Sequence, residues 1–137
     1  MDTCNLIVNA DDLGLTEAVT DGIFDGFSNG IITAASLMAN GSAFKYAVDQ
    51  LQYFSGLDIG LHLILVEERP VSETSRVKSL IGNDGRFLPH ARQFLQHYVS
   101  GKIDFSQVRE ELNAQVHKAK AAGVKISHID THQHLHC

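Results

Sequence analysis

The 137-residue sequence has little cysteine, little proline, no basic stretch and no long apolar run. Its two cysteines, Cys4 and Cys137, are too few for a disulfide framework, and neither belongs to a CxxC pair. A reducing compartment is expected. Acidic and basic residues are mixed along the whole length at a formal charge of -5, which leaves no basic stripe for nucleic acid and no polybasic patch for a membrane surface. Partners of those two kinds are not expected. The opening "MDTCNLIVNADD" runs into a short apolar segment, well under the ~7–15 residues of a signal peptide's apolar region, and no later run approaches ~18. A cytoplasmic location is the simplest expectation. Internal repeats and low-complexity stretches are also missing.

What is there, 44% hydrophobic and 20% charged residues, is the balance of one soluble globular domain over 1–137. Leu6 to Ala10 reads as a strand ending in Asp11 and Asp12, after which Gly14 supports a turn and Thr16 a helix N-cap. The helix carries Val19, Ile23 and Phe27 on one face and stops at Gly30. Ile31 to Met38 reads as a second strand, and Ser42 as the cap of a helix bearing Phe44, Val48, Leu51 and Phe54. Leu57 to Leu65 is the third strand and contains His62. From Val66 to His90 periodicity fails, both prolines occur, and "NDG" at 83–85 signals a turn; a long functional loop with a small hairpin is expected. Two helices follow, near 91–99 and 105–122, the second with Val108, Leu112 and Val116 in register and Gly123 as its stop. "VKISHID" is the fourth strand. Strands alternating with helices predict β/α units around a parallel sheet, with chemistry at the C-terminal strand ends.

Three of these strands finish in metal-competent residues: Asp11 and Asp12, then His62, then Asp130 with His132. In a parallel sheet such ends converge on one rim, so residues far apart in sequence can meet around one ion. Asp11 and Asp12 would point to opposite faces in regular strand geometry. Where the backbone turns, one can hold a metal while its neighbour acts as a general base. An acidic "DDLG" turn is the plainer alternative. His62, flanked by leucines, reads either as a buried histidine bonded to backbone or as a ligand, with Gly60 leaving room for an ion or substrate. In "HIDTHQHLH" every histidine and the aspartate fall on even positions, hence on one face of an extended chain. Equivalent positions lie ~6.6 Å apart, so the set would spread over ~26 Å, and one ion takes two neighbours at most. The interleaved Ile, Thr, Gln and Leu argue against a tag. His90, His97 and His117 read as surface residues.

"LIVNADDLGL", "GLHLIL" and "SHIDTHQHLH", with "NGIITAASLMANG" and "DGRF" between them, together resemble the YdjC-like carbohydrate deacetylase family, which includes chitooligosaccharide deacetylases. The resemblance implies an α/β fold, a distorted (β/α) barrel of the polysaccharide deacetylase type. It also implies a metal-dependent hydrolase that removes N-acetyl groups from an acetylated amino sugar or chitooligosaccharide. Carried over by position, the ligands fall on Asp12, His62 and His132, and the base that activates the metal-bound water on Asp11. Two imidazoles and a carboxylate leave coordination positions open for water and substrate. The family is usually assigned Mg2+, whereas this ligand type suits Zn2+ at least as well. His128 and His134 are candidates to protonate the leaving amine, and Asp130 to orient a ligand histidine from behind.

A (β/α) barrel needs ~200 residues or more, and family members run to about twice the present length, so the sequence is expected to hold strands one to four of an incomplete barrel. If it ends at Cys137, an open sheet edge and an exposed apolar interior would favour dimerisation, as a homodimer, or aggregation. Two other readings stay open: a metal-dependent hydrolase of another amide or ester, and a non-catalytic metal- or sugar-binding fragment.

Overall fold

The computed structural model describes residues 4–134. Its frame is a four-stranded parallel sheet whose strands lie side by side in chain order: β1 (Asn9–Leu13), β2 (Ala34–Leu37), β3 (Asp58–Leu63) and β4 (Ile129–Thr131). Parallel neighbours require a crossover between them, and helices supply it. α1 (Glu17–Ser28) joins β1 to β2, α2 (Phe44–Gln50) joins β2 to β3, and α3 (Ala91–Val99) and α4 (Phe105–Ala121) lie between β3 and β4. The β/α order expected from the alternating periodicities is therefore the order of the fold.

Pleating gives the sheet two different faces. On one, Ala10, Ala35, Leu37 and Ile59 pack against Ile23 and Phe24 of α1 and Ala47 of α2. Leu61 meets Ala119 of α4. The alternate positions, Asn9, Asp11, Ser36, His62 and Asp130, share the opposite face and hydrogen-bond with one another. Burial thus drives one face onto the helices and collects the chemistry on the other.

Element limits differ from expectation in ways that have causes. β1 begins three residues later than predicted, and Leu6 and Ile7 are exposed. β2 and β3 are each shorter at both ends. β4 is confined to Ile129–Thr131, although Ser127 and His128 already bond β3 through Ile59 O and Leu61 N. Ser42 does not cap α2: its hydroxyl donates to Leu15 O at 2.6 Å, and Ala43 occupies the cap position.

The aperiodic segment 66–90 has a core of its own. Val77, Leu80, Phe87 and Leu88 are buried together with Met38, Ile64, Leu65 and Ile103. The expected small hairpin is a single antiparallel bridge, Ile81 to Phe87, closed by a turn in which Gly85 takes φ 72°. α4 fastens the start of this segment. Its most buried positions are Glu111, Gln115 and Ala119, while the predicted core residues Val108, Leu112 and Val116 are half-buried. Glu111 accepts from Val71 N at 2.8 Å and Ser72 N at 2.9 Å, and Gln115 bonds both N and O of Ile64 at 3.0 and 2.7 Å.

Removing the Glu111 carboxylate leaves two backbone amides without their acceptor and Gln115 with one of its two. Glu111→Ala should therefore lower unfolding stability by about 2–4 kcal/mol, read as a lower urea midpoint at unchanged slope; an unchanged midpoint would show that the clamp contributes nothing.

Candidate metal centre

The site begins with a fault in β1. Ala10 pairs with Ala35 and Leu13 with Leu37, so three steps on β1 match two on β2. One residue is extra, a β-bulge, and Asp12 absorbs it with φ 66°. The left-handed region is sparsely populated except by Gly, Asn and Asp. The bulge returns Leu13 to the helix-packed face and swings Asp12 towards the polar side, beside Asp11. This is how two adjacent carboxylates reach one rim.

Asp12, His62 and His132 meet there. His62 Nε2 lies 3.1 Å from His132 Nδ1, Asp12 Oδ1 lies 3.3 Å from His132 Nδ1, and Asp12 Oδ1 lies 3.5 Å from His62 Nε2. Ligands at ~2.0–2.1 Å from a tetrahedral ion stand about 3.3–3.4 Å apart, and cis ligands of an octahedral ion of the same bond length about 2.9 Å. The observed triangle fits the first spacing better. Asp12 Oδ1 is buried yet makes no hydrogen bond of adequate geometry. A buried carboxylate oxygen facing two imidazole nitrogens without a donor is unfavourable unless a ring proton or a cation completes the set. The donors therefore fit a divalent ion.

Each imidazole is held from its far side. Asp130 Oδ1 lies 2.7 Å from His62 Nδ1, because the register sets His62 opposite Asp130. Ser36, fully buried in β2, donates to Asp130 Oδ2 at 2.6 Å. Asp11, His62 and Asp130 form a second grouping, but its His62–Asp130 contact is already a short hydrogen bond. Asp11 is exposed and accepts from Asn9 Nδ2 at 2.8 Å.

Of the two imidazoles considered for proton donation, His128 stands apart from the triangle. His128 lies one row below, its Nδ1 2.8 Å from Ser127 Oγ and its Nε2 3.2 Å from Asn9 Oδ1 and 3.3 Å from Ser36 Oγ. Its ring fills the space above Gly60, where a Cβ would come within 2.3 Å of His128 Nε2. The room beside His62 thus serves His128 and the reach of Ser36 across β3. The single extended face expected for 128–136 holds through His132 and then breaks. Residues 132–134 form a 3-10 turn in which Gln133 and His134 have φ 53° and 55°, and His134 is exposed. His136 and Cys137 lie outside the described residues. His90 and His117 are exposed as expected, and His97 is half-buried.

Sequence reasoning missed Ser36, Asn9 and Glu67. Ser36 sits inside an apolar run, and Glu67 inside the aperiodic segment; neither position carries a periodic signal. Glu67 Oε2 lies 3.4 Å from His132 Nε2, and Gln133 Nε2 donates to Glu67 Oε1 at 2.6 Å.

The close approach of His132 holds the Asp12 carboxyl below its ordinary range, against the opposing effect of burial, and Asp12 in turn raises His132.

These observations define an α/β protein with a cation-competent rim at the C-terminal ends of parallel strands. The chain belongs to the YdjC-like protein family, whose model matches residues 5–137. It is 37% identical over 131 residues to a carbohydrate deacetylase of Clostridium beijerinckii, covering 96% of this chain and 50% of that one. A carbohydrate deacetylase of Brevibacillus brevis is 39% identical over the same shares. A solved structure from Enterococcus faecalis V583, provisionally described as a cellobiose-phosphate cleavage protein, superposes with a TM-score of 0.83 at 30% identity over 95% of this chain and 49% of that one. The chain spans about half the length of the curated relatives it matches. Among the described residues, no helix is long and apolar enough to cross a membrane.

The pKa shifts fix a sign. The Asp12–His132 attraction stabilises the metal-free fold above the unfolded aspartate value of 3.8 and is lost again as pH rises through the raised pKa of His132. In the metal-free chain, NMR titration should place His132 above 6.5, and Asp12→Asn should return it towards that value; a His132 pKa indifferent to the substitution would exclude the pairing.

Proposed function

We propose that the chain supplies the metal-holding part of a carbohydrate N-deacetylase, with Asp12, His62 and His132 as ligands and Asp11 as the general base. The observation that carries this reading is the buried, donor-less Asp12 Oδ1 between two imidazole nitrogens. The names of the relatives from Clostridium beijerinckii and Brevibacillus brevis support an acetylated sugar as substrate. A divalent cation held by these ligands would lower the pKa of water and polarise an acetamide carbonyl. The donor types and their spacing favour Zn2+ over Mg2+.

The chain's own residues divide the remaining work. Asp11, steadied by Asn9, takes the proton of the attacking water, which requires an ionised carboxylate open to solvent. Asp130, held by Ser36, accepts from His62 Nδ1 and so keeps Nε2 available as a ligand. The leaving amine needs a proton. His128, with both ring nitrogens engaged one row below the rim, and His134 are the two candidates for that role.

Acetate release from N,N'-diacetylchitobiose, measured with added Zn2+ or Mg2+ and with chelator, tests the reading. Asp11→Asn should retain Zn2+ binding and lose about 10²–10⁴-fold in turnover, while Asp12→Asn should lose the metal. Release that survives both chelation and Asp11→Asn would sink the mechanism. Turnover of simple esters but of no acetylated sugar would instead favour a hydrolase of another acyl group, and Zn2+ binding without turnover of either would favour a non-catalytic binding role.

A further inference from the structure

We infer that Glu67 is a positioning residue for His132: it accepts a hydrogen bond from His132 Nε2–H and thereby commits Nδ1 to the ion. The inference rests on the reading that Asp12, His62 and His132 hold a divalent cation. It assigns work to a residue in the aperiodic loop that neither the motifs nor the ligand set include.

Geometry points this way from both sides of the ring. His132 turns Nδ1 towards Asp12 Oδ1 at 3.3 Å and His62 Nε2 at 3.1 Å, and its Nε2 towards Glu67 Oε2 at 3.4 Å. The two nitrogens of an imidazole lie on opposite sides of the ring, so Glu67 stands behind His132 and not among the ligands. His62 is arranged the other way round, with Nε2 in the triangle and Nδ1 on Asp130 at 2.7 Å. Each histidine thus has one carboxylate behind it, and the two use opposite tautomers. Carboxylates in this position fix ring orientation and raise ligand basicity.

Glu67 is itself held firmly in an unfavourable conformation. Its φ is 69°, a region that a non-glycine residue enters rarely and at a cost. The backbone is pinned there by Glu67 N to Leu88 O at 2.9 Å and by Arg86 Nε to Glu67 O at 3.0 Å. Its second oxygen accepts from Gln133 Nε2 at 2.6 Å, and Gln133 Oε1 accepts from Ala91 N at 3.1 Å. Gln133, adjacent to His132 in sequence, also has a left-handed φ, 53°. Both ends of the contact are strained, and a run of hydrogen bonds connects the loop after β3, the start of α3 and the turn after β4.

The strain makes the test specific. Glu67→Gly relieves the backbone while removing the carboxylate and its bonds to His132 and Gln133, so the metal-free chain should melt close to the parent while Zn2+ affinity by calorimetry falls about 10–100-fold. Glu67→Gln keeps one acceptor oxygen and should fall between the two. In the Zn2+-loaded parent, long-range 1H–15N correlation should show His132 bound through Nδ1 with a proton on Nε2, and in Glu67→Gly that proton should exchange faster. Unchanged Zn2+ affinity in Glu67→Gly, or His132 bound through Nε2, would overturn the inference. Asp12→Asn serves as the control for the underlying reading. If it abolishes Zn2+ binding while Glu67→Gly does not weaken it, the ligand set stands and the role of Glu67 falls; if Asp12→Asn leaves affinity unchanged, the ligand set itself falls.

Discussion

His62 faces Asp130 because β3 and β4 pair in parallel with Leu61 against Ile129 and Leu63 against Thr131. The rest of the site is arranged around that register. A shift of one residue would put Asp130 on the opposite face, and His62 would be buried among leucines with no partner for Nδ1. What fixes the register is largely apolar: Leu61 is fully buried against Ala119 of α4, so β3 has no freedom to turn its polar face inward. Gly60 then allows contact across the strand. With no side chain between them, Ser36 of β2 reaches Asp130 of β4 and His128 just before it, and through Asn9 of β1 the same buried hydroxyl ties three strands.

Backbone strain has a similar distribution. Among the described residues, four non-glycine positions have φ in the left-handed region, Asp12, Glu67, Gln133 and His134, and all four belong to the rim or adjoin it. Each such position costs of the order of 1–3 kcal/mol and persists only where its surroundings determine it. The determinants are visible. Leu13 and its register partner Leu37, just beyond the bulge that bends Asp12, are wholly buried, and the packed segment around Leu80, Phe87 and Leu88 anchors the backbone of Glu67. The apolar clusters therefore do more than stabilise the chain. They hold a few residues in conformations that those residues would not adopt alone.

This explains which features could be read from the sequence. Strand order and helix order follow from hydrophobic periodicity, a local signal present in almost every segment, and the convergence of Asp12, His62 and His132 follows from strand ends in a parallel sheet. The bulge at Asp12 was foreseen only as a turn, since an inserted residue is defined by its partner strand, and β2 lies more than twenty residues away. Ser36 was hidden because a lone hydroxyl in "ITAASLM" is compatible with either face. Glu111 and Gln115 occupy the deepest face of α4 although periodicity favoured the flanking aliphatics; their function is to satisfy backbone amides of a loop. Glu67 was invisible for a related reason, as its partner is one nitrogen of a ring sixty-five residues away.

Electrostatics gives the site its direction. Asp12, Asp130 and Glu67 surround two imidazoles, with carboxylates on the inner side of the triangle and behind each ring. So much acceptor character around few donors favours gaining positive charge, and without a metal ion the available source is a proton. At His132 the proximity of Asp12 favours the protonated ring by raising its pKa, against the opposing effect of burial. A divalent cation would supply the same compensation from the centre of the triangle, but it needs the Nδ1 lone pair that a doubly protonated ring lacks. Proton and ion therefore compete for one nitrogen, and the hydrogen bond to Glu67 matters because it leaves a place for a ring proton on the side away from the ion.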